Sequence, residues 1–235
     1  MTDTHDPRQN RLLEILPTVD YERIFTHLEL IQMPFNKILY DSGEKLHFVY
    51  FPTNCIVSLL YITENGSTAE IATVGNDGAI GIALFMGGET MQNRAVVQSA
   101  GYAYRIRRHL FMQEFNRHCA LFHVLLRYTQ VQITQTAQTA VCNRYHSVDQ
   151  QLCRWLLLCL DRLPSNELTM TQELIANMLG VRREGVTEAA GKLQQAGLIQ
   201  YSRGHITVLD RLGLETRVCE CYQVVRKESD RLLAA

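Results

Sequence analysis

Residues 171–194 read TQELIANMLGVRREGVTEAAGKLQ. Thr171 or Thr169 can open a helix here, because a threonine hydroxyl accepts from a backbone N–H that the first turn leaves unpaired. Leu174, Ile175, Met178 and Leu179 give that helix one apolar face. Gly180 stands where it must stop, since a residue without Cβ takes positive φ at no steric cost. After the turn Val-Arg-Arg, a second helix is predicted from about Arg183 to Gln195. Its Val186, Ala189, Ala190 and Leu193 face a core, which leaves Arg183, Glu184, Thr187, Glu188 and Lys192 outward. Two helices about a tight turn, with polar groups at the start of the second, are the arrangement that enters a DNA major groove. An arginine fork donates to guanine O6 and N7, and a carboxylate accepts from cytosine N4. The segment LIQYSRGHITV then predicts a hairpin about Ser202-Arg203-Gly204, a wing whose Arg203 and His205 reach phosphate. Thr171, Gln172 and Arg182 complete the candidate DNA-binding set. One polar helix face is ordinarily just solvated; it is the succession of capped helix, glycine turn, second helix and wing that favours DNA.

The rest of the chain fits that reading. Its 235 residues, 46% hydrophobic and 20% charged, suffice for one large or two modest domains. A net charge of -1 argues against a basic coat and leaves room for a local positive patch. No charged-then-apolar leader opens the chain, and its longest apolar runs are too short to span a bilayer, so a cytoplasmic protein without membrane contact is expected. The opening MTDTHDPRQN reads as a frayed polar tail. Seven scattered cysteines fit reduced, partly buried thiols rather than bridges. Cys219 and Cys221, two apart, fall on different faces of a helix, and no second ligand group at zinc spacing follows, so no metal site is expected. Neither a nucleophile elbow nor a Walker loop is present, and nothing suggests an enzyme.

Residues 11–30 carry apolar positions at helical spacing broken by Pro17, which predicts two short helices, the first forming with the polar tail an N-terminal segment (1–19). From Ile31 to about Arg107 the chain is rich in β-branched and aromatic residues with glycine-marked turns, an antiparallel β domain (20–118). Asn65-Gly66 within ENGS predicts a type I′ hairpin turn. Beyond Arg107 a long stretch lacks Gly and Pro. In its helix (119–145), Leu121, Val124, Tyr128, Val131 and Gln135 recur at steps of three and four, a coiled-coil-like seam. We read this as a face that pairs with its own copy; the alternative is a core helix packed on its own β domain. A further helix, SVDQQLCRWLLLCLDRL, the helix-turn-helix, the wing and one C-terminal helix fill 146–235.

In this order, an α+β chain with a β-roll, a long dimer helix and a winged helix-turn-helix, the sequence resembles the Crp/Fnr family of bacterial transcription regulators. The resemblance covers about residues 20–213, and its specific part is TQELIANMLGVRREGVTEAAGKLQQAGLI. It implies a homodimer on double-stranded DNA with a two-fold symmetric operator, and contact with RNA polymerase. Arg183 and Glu184 match the Arg-Glu pair that begins the recognition helix of the cyclic-AMP receptor, whereas a later base-reading arginine of that relative falls on Glu188. The other reading is a degenerate sensor module acting through a protein partner.

The resemblance also places an effector pocket. Where cyclic-nucleotide-binding relatives carry Gly-Glu for the ribose, this chain has Gly81-Ile82; where they carry Arg-Ser for the phosphate, it has Arg94-Ala95. Of two adjacent hydroxyls on the long helix, Thr136 remains beside Ala137. A carboxylate–ribose bond is worth about 1.5–3 kcal/mol, so its loss predicts a pocket that does not take cyclic AMP. Gly81, Arg94 and Thr136 remain the candidate effector residues, with Glu70 or Glu89 as possible partners for Arg94. No cofactor is predicted and the effector is unknown. The cysteines begin only at Cys55, which argues against the N-terminal iron–sulfur cluster of the family's oxygen sensors.

Overall fold

The computed structural model describes residues 5–234. Seven strands make the roll: β1 (Glu29–Met33), β2 (Ile38–Tyr40), β3 (Phe48–Pro52), β4 (Ile56–Ile62), β5 (Thr68–Val74), β6 (Arg94–Ser99) and β7 (Gly101–Arg107). They form two antiparallel sheets, ordered β1-β7-β3 and β2-β6-β4-β5. Val49, Phe51, Val57, Val97 and Ile106 are fully buried in the core of the roll, each side chain contributing about 1.5–3 kcal/mol. The β4–β5 hairpin differs in detail from the expected I′ turn. Gly66 has φ +83° while Asn65 is not left-handed, and Gly66 N–H donates to Thr63 O. Asn65 instead accepts from Ser67 N–H and the Thr63 hydroxyl, so one glycine supplies the only positive φ that the loop needs.

Pro17 separates α1 (Arg11–Glu14) from α2 (Thr18–Phe25), as expected. The tail reading fails for residues 5–10; residues 1–4 lie outside the described chain. Asp6 caps a 3₁₀ turn over Pro7–Gln9. Asn10 is wholly buried, with its amide donating to Pro52 O (2.9 Å) and Gly78 O (2.8 Å) while its oxygen caps α1. A polar residue can be drawn inside when all of its hydrogen bonds are met, and polarity alone could not reveal that.

The long helical stretch breaks once. α3 (Arg108–Phe115) ends in a turn with His118 at φ +54°, and α4 (Ala120–Tyr145) begins with Ala120 N–H donating to Asp20 Oδ2 at 2.9 Å. The expected self-pairing seam is corrected here. Leu121, Val124, Tyr128, Val131 and Gln135 are buried against the chain's own β-roll, at most 5% exposed. Tyr128 donates to Ala79 O and Gln135 to Thr73 O. Gly78 leaves the space for that tyrosine: a Cβ there would sit 2.3 Å from the Tyr128 hydroxyl. The seam's period is real, but the partner it meets is a sheet with an apolar flank of its own.

α5 (Val148–Leu160) starts in a capping box of Ser147 and Gln150. Then come β8 (Glu167–Thr169), α6 (Gln172–Leu179), α7 (Arg183–Gln195), β9 (Ile199–Ser202), β10 (His205–Val208), α8 (Arg211–Arg217) and α9 (Glu220–Leu233). Trp155, Leu156, Ile175, Val186, Leu193, Ile206 and Tyr222 centre a second core. The single C-terminal helix expected from sequence is two, broken at Val218-Cys219, both in extended conformation. α9 then returns along α4: Gln130 donates to Glu228 at 3.0 Å, and Leu232 and Leu233 join the first core. Arg162 ties the two cores together. Its buried guanidinium pairs with Asp77 at 2.8 Å and donates to Leu158 O and to Gln135 Oε1 on α4.

Candidate nucleic-acid interface

The helix-turn-helix is built from local rules. Thr171, rather than Thr169, caps α6, accepting from Leu174 N–H at 3.2 Å. Gly180 closes the helix at φ +65°, ψ +33°, where a side chain would be strained. Val186, Ala189, Ala190 and Leu193 are buried on α7, in the core that it shares with α5 and α6. Arg182, Arg183, Glu184, Thr187, Glu188 and Lys192 are all exposed.

These side chains are not equally free. Thr187 donates to Gln172 Oε1 at 2.8 Å, which locks the two helices' outer faces together. Lys192 pairs with Glu188 (2.8 Å) and with Asp149 of α5 (3.3 Å). Lys192 thereby holds the Glu188 carboxyl below its ordinary pKa, and the two carboxylates raise the lysine. Among the described residues, no side-chain hydrogen bond or ion pair holds Arg183 or Glu184, at the N-terminal end of α7.

β10 pairs with both β9 and β8, giving a three-stranded wing, order β8-β10-β9. Its tip, Arg203 at φ +50° and Gly204 at φ +82°, is a turn of two left-handed residues. Arg203 and His205 are exposed there, and His205 lies 3.4 Å from the Thr169 hydroxyl. A groove of about 660 Å³ runs between wing and recognition helix, lined by Thr171, Gln172, Glu173, Arg183, Tyr201, Arg203 and Gly204. The fold thus brings Thr171, Gln172, Arg183 and Arg203 to one surface. Glu173 and Tyr201 also line it and were missed. Tyr201 could have been found from its place in a wing strand; its hydroxyl donates to Met170 O, which steadies the wing base.

The candidate effector residues are not brought together in one cavity. Arg94 is engaged by Asp41, through Nε at 3.1 Å and Nη2 at 2.7 Å. That bidentate pair holds the Asp41 carboxyl below its ordinary range. Neither suggested partner takes this role. Glu70 is buried against the Thr73 hydroxyl, and burial raises its pKa. Glu89 pairs with Arg108 and Lys45, which push it down to about 2. Gly81 has φ +101°, and a Cβ would sit 2.9 Å from Phe48 O, so the backbone itself requires glycine there. Thr136 is exposed on α4. A cavity of about 420 Å³ in the roll is lined by residues of the β2–β3 region, including Tyr40, Lys45, His47 and Tyr50, and by neither Gly81 nor Arg94.

The expectation of no metal-ligand group also needs correction. Cys142, His146, Cys219 and Cys221 converge, with their ligand atoms all within 4.8 Å of one another. Cys219 is not inside a helix; it is the extended N-cap of α9, so the face rule for residues two apart does not hold. Burial raises the Cys142 thiol and pushes Cys221 up to about 12.

Residues 150–217 match the Crp-like helix-turn-helix domain. No curated protein matches the chain. Among solved structures, it is similar to a protein described as a Crp/Fnr-family transcriptional regulator from Eubacterium rectale (19% identity, 87% of this chain and 96% of that one, TM-score 0.67). It is also similar to a c-di-GMP responsive global regulator of Xanthomonas campestris (16%, 83% and 100%, TM-score 0.65) and to a CRP-family transcriptional regulator of Thermus thermophilus (17%, 80% and 95%, TM-score 0.66). These identities speak for a shared fold. Among the described residues no helix is long and apolar enough to cross a membrane. Residues 150–217 thus carry a Crp-like helix-turn-helix domain, set behind a β-roll and a long helix in a fold that the chain shares with these regulators.

Proposed function

We propose that the protein is a homodimeric, sequence-specific DNA-binding transcription regulator whose β-roll does not take cyclic AMP. The observation that carries the reading is the groove in which Arg183 of α7 faces Arg203 of the wing. The two cations suit different parts of one duplex, a base edge and a flanking phosphate. An output through a protein partner would not need a wing tip and a recognition-helix start on one polar surface.

Arg183→Ala is expected to weaken binding to a selected operator by about 1–3 kcal/mol, while affinity for random DNA changes little. Arg203→Ala should weaken both alike and flatten the salt dependence. Titration of labelled duplexes at fixed salt reads the two effects. Equal losses for Arg183→Ala on both DNAs would make it a phosphate contact.

Two copies would present their recognition helices to half-sites about 34 Å apart. With the first seam used by the roll, the dimer face we propose is the open side of α4. Phe122, Leu126, Thr129, Ile133, Thr136 and Ala140 recur there at steps of four and three. Ile133 is 63% exposed and Leu126 46%, which is costly for a helix that stays alone.

For the effector, Arg94 is already neutralised by Asp41, and Ile82 offers no acceptor. Calorimetry with cyclic AMP and cyclic GMP is expected to show no saturable heat at 10 μM, an affinity equivalent to about -7 kcal/mol. Saturable binding that Arg94→Ala removes would show that a nucleotide phosphate can displace Asp41.

A further inference from the structure

We propose that Cys142, His146, Cys219 and Cys221 form a tetrahedral site for a single zinc-class divalent cation, which pins the end of α4 to the DNA-binding domain. Cys142 lies in the last turn of α4, and His146 is the extended C-cap that follows it, held by its N–H donating to Cys142 O at 3.0 Å. Cys219 is the N-cap of α9 at the break after α8, and Cys221 lies in the first turn of α9. The four ligands thus lie 73 or more residues apart in two pairs, and only the folded chain assembles them.

The distances match the chemistry. With Zn–S near 2.3 Å and Zn–N near 2.1 Å, a tetrahedral ion holds two sulfurs about 3.8 Å apart and a sulfur and nitrogen about 3.6 Å apart. Cys142 Sγ lies 3.6 Å from Cys219 Sγ, and Cys221 Sγ lies 3.5 Å from His146 Nδ1. Ligands this close suit one ion rather than a multi-iron cluster. The donor set, three thiols and one imidazole, is that of closed structural zinc sites.

The surroundings fit as well. His146 Nε2 faces Glu220 Oε1 at 3.3 Å, so a carboxylate orients the imidazole and leaves Nδ1 toward the thiols. Gln151 donates to His146 O at 3.0 Å and steadies the helix end. Three thiolates on a divalent ion leave one negative charge. The buried guanidinium of Arg154 lies against Cys142, with its Nε unpartnered among the described residues. All three thiols are buried, unlike the exposed thiols that sense oxidants. An ion here would couple α4, which carries the open face proposed for the dimer, to the helices that flank the helix-turn-helix. The site itself does not depend on DNA being the output.

The test uses purified full-length protein, stripped by chelator under reducing conditions and titrated with Co²⁺. One equivalent per chain is expected to give the intense visible bands and thiolate charge transfer of tetrahedral cobalt, and one equivalent of Zn²⁺ to abolish them. Cys221→Ser should weaken Zn²⁺ at least 100-fold, and Glu220→Gln about 10-fold, with circular dichroism unchanged. Cys119→Ser, at an exposed thiol outside the cluster, should leave affinity unchanged. If Cys221→Ser misfolds, His146→Gln is read instead, with loss of the tetrahedral spectrum expected. An octahedral cobalt spectrum, retention of tight binding in both Cys221→Ser and His146→Gln, or a Cys142–Cys219 disulfide as the only change at these residues would overturn the proposal.

Discussion

Asp77→Ala is expected to destabilise the protein by about 3–5 kcal/mol, the cost of leaving a buried cation without its partner. The guanidinium of Arg162 is 4% exposed and meets Asp77 through both carboxylate oxygens, at 2.9 and 2.8 Å. Its remaining acceptors, Leu158 O and Gln135 Oε1, are neutral dipoles that cannot balance a charge. Asp161 contributes only at longer range. Replacing both partners, Asp77→Leu with Arg162→Met, should recover most of the loss, because no buried charge is then left unpaired. Urea unfolding of the two variants beside the wild type decides it. A loss under 1 kcal/mol for Asp77→Ala would mean that water reaches Arg162. The same pair links the roll to the domain with the recognition helix, so its loss should also separate the two unfolding transitions.

Ile133→Glu is expected to convert the dimer to monomers and to lower specific operator affinity at least 100-fold. Two like charges would face each other across the two-fold axis, where neither could stay fully solvated. Because Ile133 is open to solvent within its own chain, the monomer should fold normally. Val131→Glu is the informative contrast. Val131 is 5% exposed in the β-roll core, so that change should unfold the roll instead of dissociating a folded pair. Sedimentation with circular dichroism separates these results. A folded Val131→Glu monomer, or an Ile133→Glu dimer, would move the interface off the open face.

The helix-turn-helix was legible in the sequence because its determinants are local. Thr171 caps within three residues, Gly180 takes a left-handed angle at no steric cost because it lacks a Cβ, and Val186, Ala189 and Leu193 share a face by helical period alone. The wing followed for the same reason, from Ser202-Arg203-Gly204 between two short strands. The seam on α4 was legible as a period and not as a destination. Leu121 to Gln135 and Phe122 to Ala140 are interleaved repeats on one helix, and a period says that a face is covered without naming what covers it. The β-roll took the first set, through Tyr128 seated over Gly78 and Gln135 bonded to Thr73. Likewise Arg94 announces a cation, but its partner Asp41 lies 53 residues away. Cys142 and Cys219, 77 residues apart, meet only because the chain breaks at Val218-Cys219 and sends α9 back along α4. Caps, turns and faces depend on neighbours within a few residues and can be read from the chain. Pairings across many residues depend on which surfaces the whole fold brings into contact, and only the tertiary structure decides them.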